Sequence, residues 1–143
     1  MSGKPVNILL VEDDSIDAKA FIRAMEKLKI GNPVVHARDG VEGLEKLRTL
    51  GRPNLVILDI NMPRMNGLEF LRRLRQDDVL RDTIVFVLTT SNDDEDKFEA
   101  YNLNVAGYML KSDMGNSFVR AVSLVDNYWK VVEFPEAHPG ARG

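Results

Sequence analysis

The sequence has no cysteine. That excludes a disulfide framework, cysteine-ligated zinc, iron–sulfur clusters and thiol catalysis. Histidine is nearly absent as well: His36 and His138 leave little material for a histidine-based metal site. No apolar run reaches the ~20 residues needed to span a bilayer. The opening Met1-Ser2-Gly3-Lys4-Pro5 lacks the layout of a secretory leader and leads straight into a strand-like run. Excess positive charge is missing too. The 19 basic residues are outnumbered by 22 acidic ones, a net charge of −3, which argues against a dedicated nucleic-acid binder. What remains is a chain of 143 residues, the length of one domain with a core large enough to need no staples. A cytoplasmic location without membrane or nucleic-acid contact is the expectation.

Short, near-continuous apolar runs recur at Val6–Val11, Val34–Ala37, Leu55–Ile60, Ile84–Leu88 and Ala106–Leu110. Runs of this kind suit strands covered on both faces, as in a parallel sheet. Amphipathic stripes lie between them: Ile16, Ala20, Phe21, Ala24 and Leu28; then Val41, Leu44 and Leu47; then Leu68, Leu71 and Leu74; and last Phe118, Val122, Val125 and Trp129. Asp14 can cap the first helix. Asp39 with Glu42, and Asn66 with Glu69, resemble capping boxes. Asp93, Asp94, Glu95 and Asp96 read as the solvated start of the fourth helix, and Arg72, Arg73 and Arg75 as a solvated face of the third. Strand–helix alternation five times over predicts one α/β domain, a (βα)5 doubly wound sheet, over residues 1–135, with a loose tail over 136–143.

In open parallel sheets, ligands bind beyond the carboxyl ends of the strands. Those ends carry Glu12-Asp13, then Asp59 followed by Asn61, then Thr89-Thr90-Ser91, then Lys111. The second strand supplies nothing comparable, and His36 reads as a structural or surface residue away from the site. A lone Asp after a strand is usually a cap, and a lone lysine usually a surface group. Their convergence on one rim is the signal. Clustered carboxylates repel unless a cation offsets them. All-oxygen ligation by Glu12, Asp13, Asp59 and the backbone carbonyl of Asn61 suits Mg²⁺, with Mn²⁺ as the alternative. An aspartate can also attack phosphorus. Lys111 would then neutralise phosphoryl oxygens and Thr89 would donate to one.

The segments Leu10–Asp14, Leu58–Gly67, Leu88–Ser91 and Gly107–Lys111 resemble those of the bacterial two-component response regulator receiver domain. The spacings of 30 from Asp59 to Thr89 and 22 from Thr89 to Lys111 are those of that family. The resemblance covers residues 6 to about 127. It implies a flavodoxin-like sheet in order 2-1-3-4-5 and Asp59 as acceptor of a phosphoryl group from a sensor histidine kinase. It also implies Mg²⁺ held by Glu12 and Asp13, Lys111 paired with the phosphoryl group, and a switch built from Thr89 and Tyr108. Asn61 and Ser91 occupy positions that tune signal lifetime, and Thr90 stands where many members have a smaller residue. Ser112 stands where the family usually has proline. Two rivals are a metal-dependent phosphatase using an aspartyl phosphate and a binding module that has lost phosphorylation. Asn61, where the phosphatases carry a second aspartate, counts against the first. The complete set Glu12, Asp13, Asp59, Thr89 and Lys111 counts against the second.

The last helix is expected to run on as an arm over about 126–135. Tyr128, Trp129, Val131, Val132 and Phe134 either fold back on the core or pack on a second subunit. The expectation carried forward is a homodimer through the fourth and fifth helices and this arm. The ending, with Leu88–Ser91 and Lys111-Ser112, is similar to stand-alone regulators that partner bacterial phytochrome kinases. With eight residues after Pro135, a signalling protein acting through contacts, and not an enzyme or a helix-turn-helix factor, is expected.

Overall fold

The computed structural model describes residues 6–51 and 54–134. The elements follow in the order β1 (Asn7–Val11), α1 (Ser15–Lys27), β2 (Val34–Ala37), α2 (Gly40–Thr49), β3 (Asn54–Leu58), α3 (Gly67–Gln76), β4 (Ile84–Thr89), α4 (Asp94–Asn102), β5 (Gly107–Leu110) and α5 (Val119–Val131). A 3-10 turn, Lys111–Asp113, follows β5. All strands pair in parallel, in the order β2-β1-β3-β4-β5 expected from the resemblance.

Side chains alternate across a strand, so each strand feeds two cores. Leu9, Val11, Val56 and Leu58 face one layer with Leu44 and Leu47 of α2, Phe70, Leu71 and Leu74 of α3 and Ala100 of α4. Ile8, Leu10, Ile57 and Phe86 face the other with Phe21 and Ala24 of α1 and Val122, Val125 and Trp129 of α5. The helices after β1 and β3 therefore leave on opposite faces. The crevice between them opens at the carboxyl ends of these two adjacent strands, where Glu12, Asp13 and Asp59 stand.

The caps are as read. Asp14 accepts from the amides of Ile16 and Asp17, Asp39 from that of Glu42, and Asn66 from that of Glu69. Glu42 closes its box one residue early, accepting from the amide of Arg38.

Several expectations are corrected. Ile16 is 76% exposed, and Leu28 and Val41 are also outside the core. The buried face of α1 is Ala18, Phe21, Ala24 and Met25, and Ile16 sits in its first turn. Arg75 is not solvated. It donates to the carbonyls of Leu103, Arg81, Thr83 and Asn104 at 2.7, 2.7, 2.8 and 3.1 Å, stapling the end of α3 to the loops beside it. The arm is shorter than expected: α5 stops at Val131, and Val132 is extended. Trp129 is 1% exposed, buried between α5 and the sheet, so it is not a surface for a second subunit. Tyr128 stacks edge-on against Phe86 at 4.9 Å, and Phe134 against Tyr128 at 6.4 Å. Val132 is half-buried. The first five residues and the tail over 136–143 lie outside the described residues.

Candidate functional site

Asp59 is the first residue past β3. Its amide still donates to the carbonyl of Val11 at 3.0 Å, so the ladder between the two central strands fixes its backbone. Glu12 is likewise held, with its amide on the carbonyl of Ala37 at 2.9 Å. The His36 ring donates from Nε2 to the Glu12 carbonyl at 2.6 Å, so His36 supports the site's backbone and does not stand away from it. The loop after Asn61 is tied to α2 by Arg64, whose Nε donates to Asp39 Oδ2 at 2.8 Å.

Carboxylate oxygens of Glu12, Asp13 and Asp59 lie within 4.8 Å of one another. Glu12 and Asp59 are buried and Asp13 is exposed, which leaves the cluster one open side. Lys111 Nζ lies 2.7 Å from Glu12 Oε1, 2.7 Å from Asp17 Oδ2 and 3.6 Å from Asp59 Oδ2. Glu12 Oε2 accepts from the amide of Asp14 at 3.1 Å. Both Glu12 oxygens are therefore occupied, whereas Asp59 Oδ1 is buried without a hydrogen-bond partner among the described residues. A buried carboxylate oxygen left unpaired is costly, and an incoming positive charge would offset that cost. The all-oxygen donor set and this unpaired oxygen fit a hard divalent cation. The exposed Asn61 stands two residues beyond Asp59.

Burial pushes the Glu12 carboxyl up from 4.5 to about 8, against the lowering hydrogen bond from Lys111 and with the charge of Asp59 adding to the rise. For Lys111, burial pulls downward, but the bonds to Asp17 and Glu12 outweigh it and hold the ammonium above its ordinary value. Without a divalent cation, the folded chain keeps a proton on Glu12 that the unfolded chain has lost, so stability falls as pH rises from about 4.5 to about 8. Glu12→Gln is expected to flatten that decline in thermal unfolding with chelator present. Equal slopes in the two proteins would contradict the assignment.

Thr89 ends β4 and is fully buried; its Oγ1 accepts from the amide of Ser91 at 3.3 Å. Tyr108 donates to the carbonyl of Ser91 at 2.9 Å, and Ser91 Oγ donates to Asp96 at 2.6 Å. Ser91 thus joins Thr89, Tyr108 and the start of α4. A shift of Thr89 has a short path to the Tyr108 ring. Thr90 points outward, exposed, on the same loop. Asp17 carries no such signal in the sequence: in a first helical turn an acid reads as a dipole partner, and nothing local reveals Lys111, which it meets at 2.7 Å.

Comparison with known proteins agrees with this arrangement. The family described as the response regulator receiver domain matches residues 8–123. Response regulator Rcp1 of Synechocystis sp. is 32% identical over 143 residues, covering 95% of this chain and 97% of its own. The crystal structure of the Mn²⁺-bound form of Rcp1 superposes with a TM-score of 0.78 over 92% of this chain and 99% of that one. The crystal structure of the phosphorylated cyanobacterial phytochrome response regulator RcpA is 31% identical, with a TM-score of 0.81 over 94% and 99%. The probable methanogenesis regulatory protein FilR2 of Methanothrix harundinacea is 36% identical over 130 residues, 87% of this chain and 84% of its own. Among the described residues no helix is long and apolar enough to cross a membrane. The sheet order, the acidic rim with its lysine and the match across the domain together mean that the chain belongs to the response regulator receiver domain family, two-component signalling proteins phosphorylated on an aspartate.

Proposed function

We propose that Asp59 is the phosphoacceptor, taking a phosphoryl group from the phosphohistidine of a sensor histidine kinase. The observation that carries this reading is the buried Asp59 carboxylate, 3.6 Å from Lys111 Nζ and within 4.8 Å of two further carboxylates. Glu12, Asp13, Asp59 and the Asn61 carbonyl would hold Mg²⁺ or Mn²⁺. When bound, the cation supplies charge neutralisation for the phosphoryl oxygens. A carboxylate oxygen of Asp59 attacks phosphorus as the P–N bond to imidazole breaks, leaving an acyl phosphate on Asp59 and a neutral histidine on the kinase once it gains a proton. Lys111 donates to a phosphoryl oxygen. Thr89 turns its hydroxyl toward another, and that movement is relayed through Ser91 to Tyr108 as a shift between two states. Asn61, Thr90 and Ser91 tune the lifetime of the acyl phosphate.

On this reading the chain acts on no separate substrate and signals from the cytoplasm through protein contacts. The likeness to RcpA supports a phytochrome-type kinase as the phosphodonor. A homodimer through α4 and α5 is supported by exposed Phe98, Tyr101 and Leu124, with Val131 rather than Trp129 at its end. Intact-protein mass after incubation with acetyl phosphate and Mg²⁺ tests the acceptor. One phosphoryl group is expected in the parent and none in Asp59→Asn or with chelator. No adduct over a time course short enough to catch a labile acyl phosphate would favour a phosphorylation-independent binding module.

A further inference from the structure

Lys111 is more heavily bound than a lysine waiting for a phosphoryl group needs to be. Its side chain is 9% exposed, and two of its three donors are met at 2.7 Å, by Glu12 and by Asp17. Its separation from Asp59, 3.6 Å, is beyond hydrogen-bond range. The two carboxylates differ in kind. Glu12 belongs to the cluster that a cation would occupy, whereas Asp17 does not. Asp17 stands in the first turn of α1, its amide held by the capping Asp14 at 3.2 Å, so its backbone has little freedom to follow the lysine. Neutralising Glu12, Asp13 and Asp59 therefore leaves the Asp17–Lys111 pair in place.

We propose that Asp17 is the resting counter-ion of Lys111, a positioning residue that holds the ammonium 3.6 Å from Asp59 until a phosphoryl group competes for it. The inference rests on Asp59 being the phosphoacceptor. Asp17 opposes the phosphorylated state because the new anion must draw Lys111 away from a carboxylate already bonded to it. The strength of this pair sets how much of the protein holds a phosphoryl group, or a mimic of one, at a given donor concentration.

The test is beryllofluoride binding with Mg²⁺, followed by backbone amide shifts, in the parent, Asp17→Asn and Asp17→Glu, and again in a Lys111→Ala background. Asp17→Asn is expected to tighten binding about tenfold, equivalent to about 1.4 kcal/mol. Asp17→Glu keeps the charge within reach of the lysine and should stay near the parent. In the Lys111→Ala background the gain from Asp17→Asn should vanish, because the effect runs through the lysine. Unchanged or weaker binding by Asp17→Asn overturns the proposal. So does an undiminished gain without Lys111, which would make Asp17 only a nearby negative charge. If the parent is phosphorylated on Asp59 and Asp17→Asn gains nothing, the counter-ion role alone fails. If the parent neither binds beryllofluoride nor takes a phosphoryl group, the phosphoacceptor reading fails and this role with it.

Discussion

Trp129→Ala is expected to destabilise the folded chain by about 3–5 kcal/mol, the range for truncating a large buried aromatic residue. The indole is 1% exposed and lies in one buried cluster with Val6, Ile8, Phe21 and Met25, so α5 and α1 would be left around a cavity that neither can fill. Trp129→Phe should cost clearly less than Trp129→Ala, because the cavity it leaves is smaller. It retains most of the ring, and it removes an indole N–H that is buried without a partner among the described residues. Urea unfolding at several protein concentrations measures both. A core role predicts a loss independent of concentration. Had the indole belonged to a subunit interface, Trp129→Ala would change the oligomeric state and leave the stability of the monomer within about 0.5 kcal/mol of the parent.

Gly67→Ala is expected to damage stability and phosphorylation together. A Cβ on Gly67 would collide with the carbonyl oxygen of Asp59 and lie 2.8 Å from the Cα of Ile60 and 3.0 Å from the Asp59 carbonyl carbon. All three are backbone atoms, so no side chain can rotate away to make room. Gly67 also begins α3, and its amide donates to the carbonyl of Ile60 at 2.9 Å. The methyl group must therefore push α3 from β3 or push the Asp59 peptide out of the ladder. Overpacking of this kind costs about 1–3 kcal/mol or more. A displacement of the acceptor by about 1 Å can lower the rate of phosphoryl transfer about 100-fold. Thermal unfolding and the rate of acetyl phosphate-driven modification read the two effects. Parent-like values in both would mean that the turn from β3 into α3 yields without moving Asp59.

Much of the site was legible because its signals are local. A continuous apolar run followed by Asp59, Thr89 or Lys111 marks a strand end, and parallel pairing brings such ends to one rim. Asp14, Asp39 and Asn66 were legible for the same reason, since each bonds an amide two or three residues ahead. The misreadings share the opposite property. Trp129 near the end of the chain looks the same whether its partner is α1 or another subunit. Arg75 looks like a surface arginine until the loops at Arg81–Thr83 and Leu103–Asn104 are folded beside it. Asp17 and His36 act on groups far away in sequence, Lys111 and the Glu12 carbonyl. Side-chain bonds that cross between elements leave no periodic or capping trace.

The central claim is that Asp59 carries the phosphoryl group as an acyl phosphate. Borohydride reduction after acetyl phosphate and Mg²⁺ treatment, followed by peptide mapping, tests it most directly, because reduction converts an aspartyl phosphate to homoserine at the modified position. Homoserine at position 59 and at no other acidic residue is the predicted result. Homoserine at Glu12's neighbour Asp13 instead, or no reducible adduct in a protein that is folded and magnesium-loaded, would contradict the account.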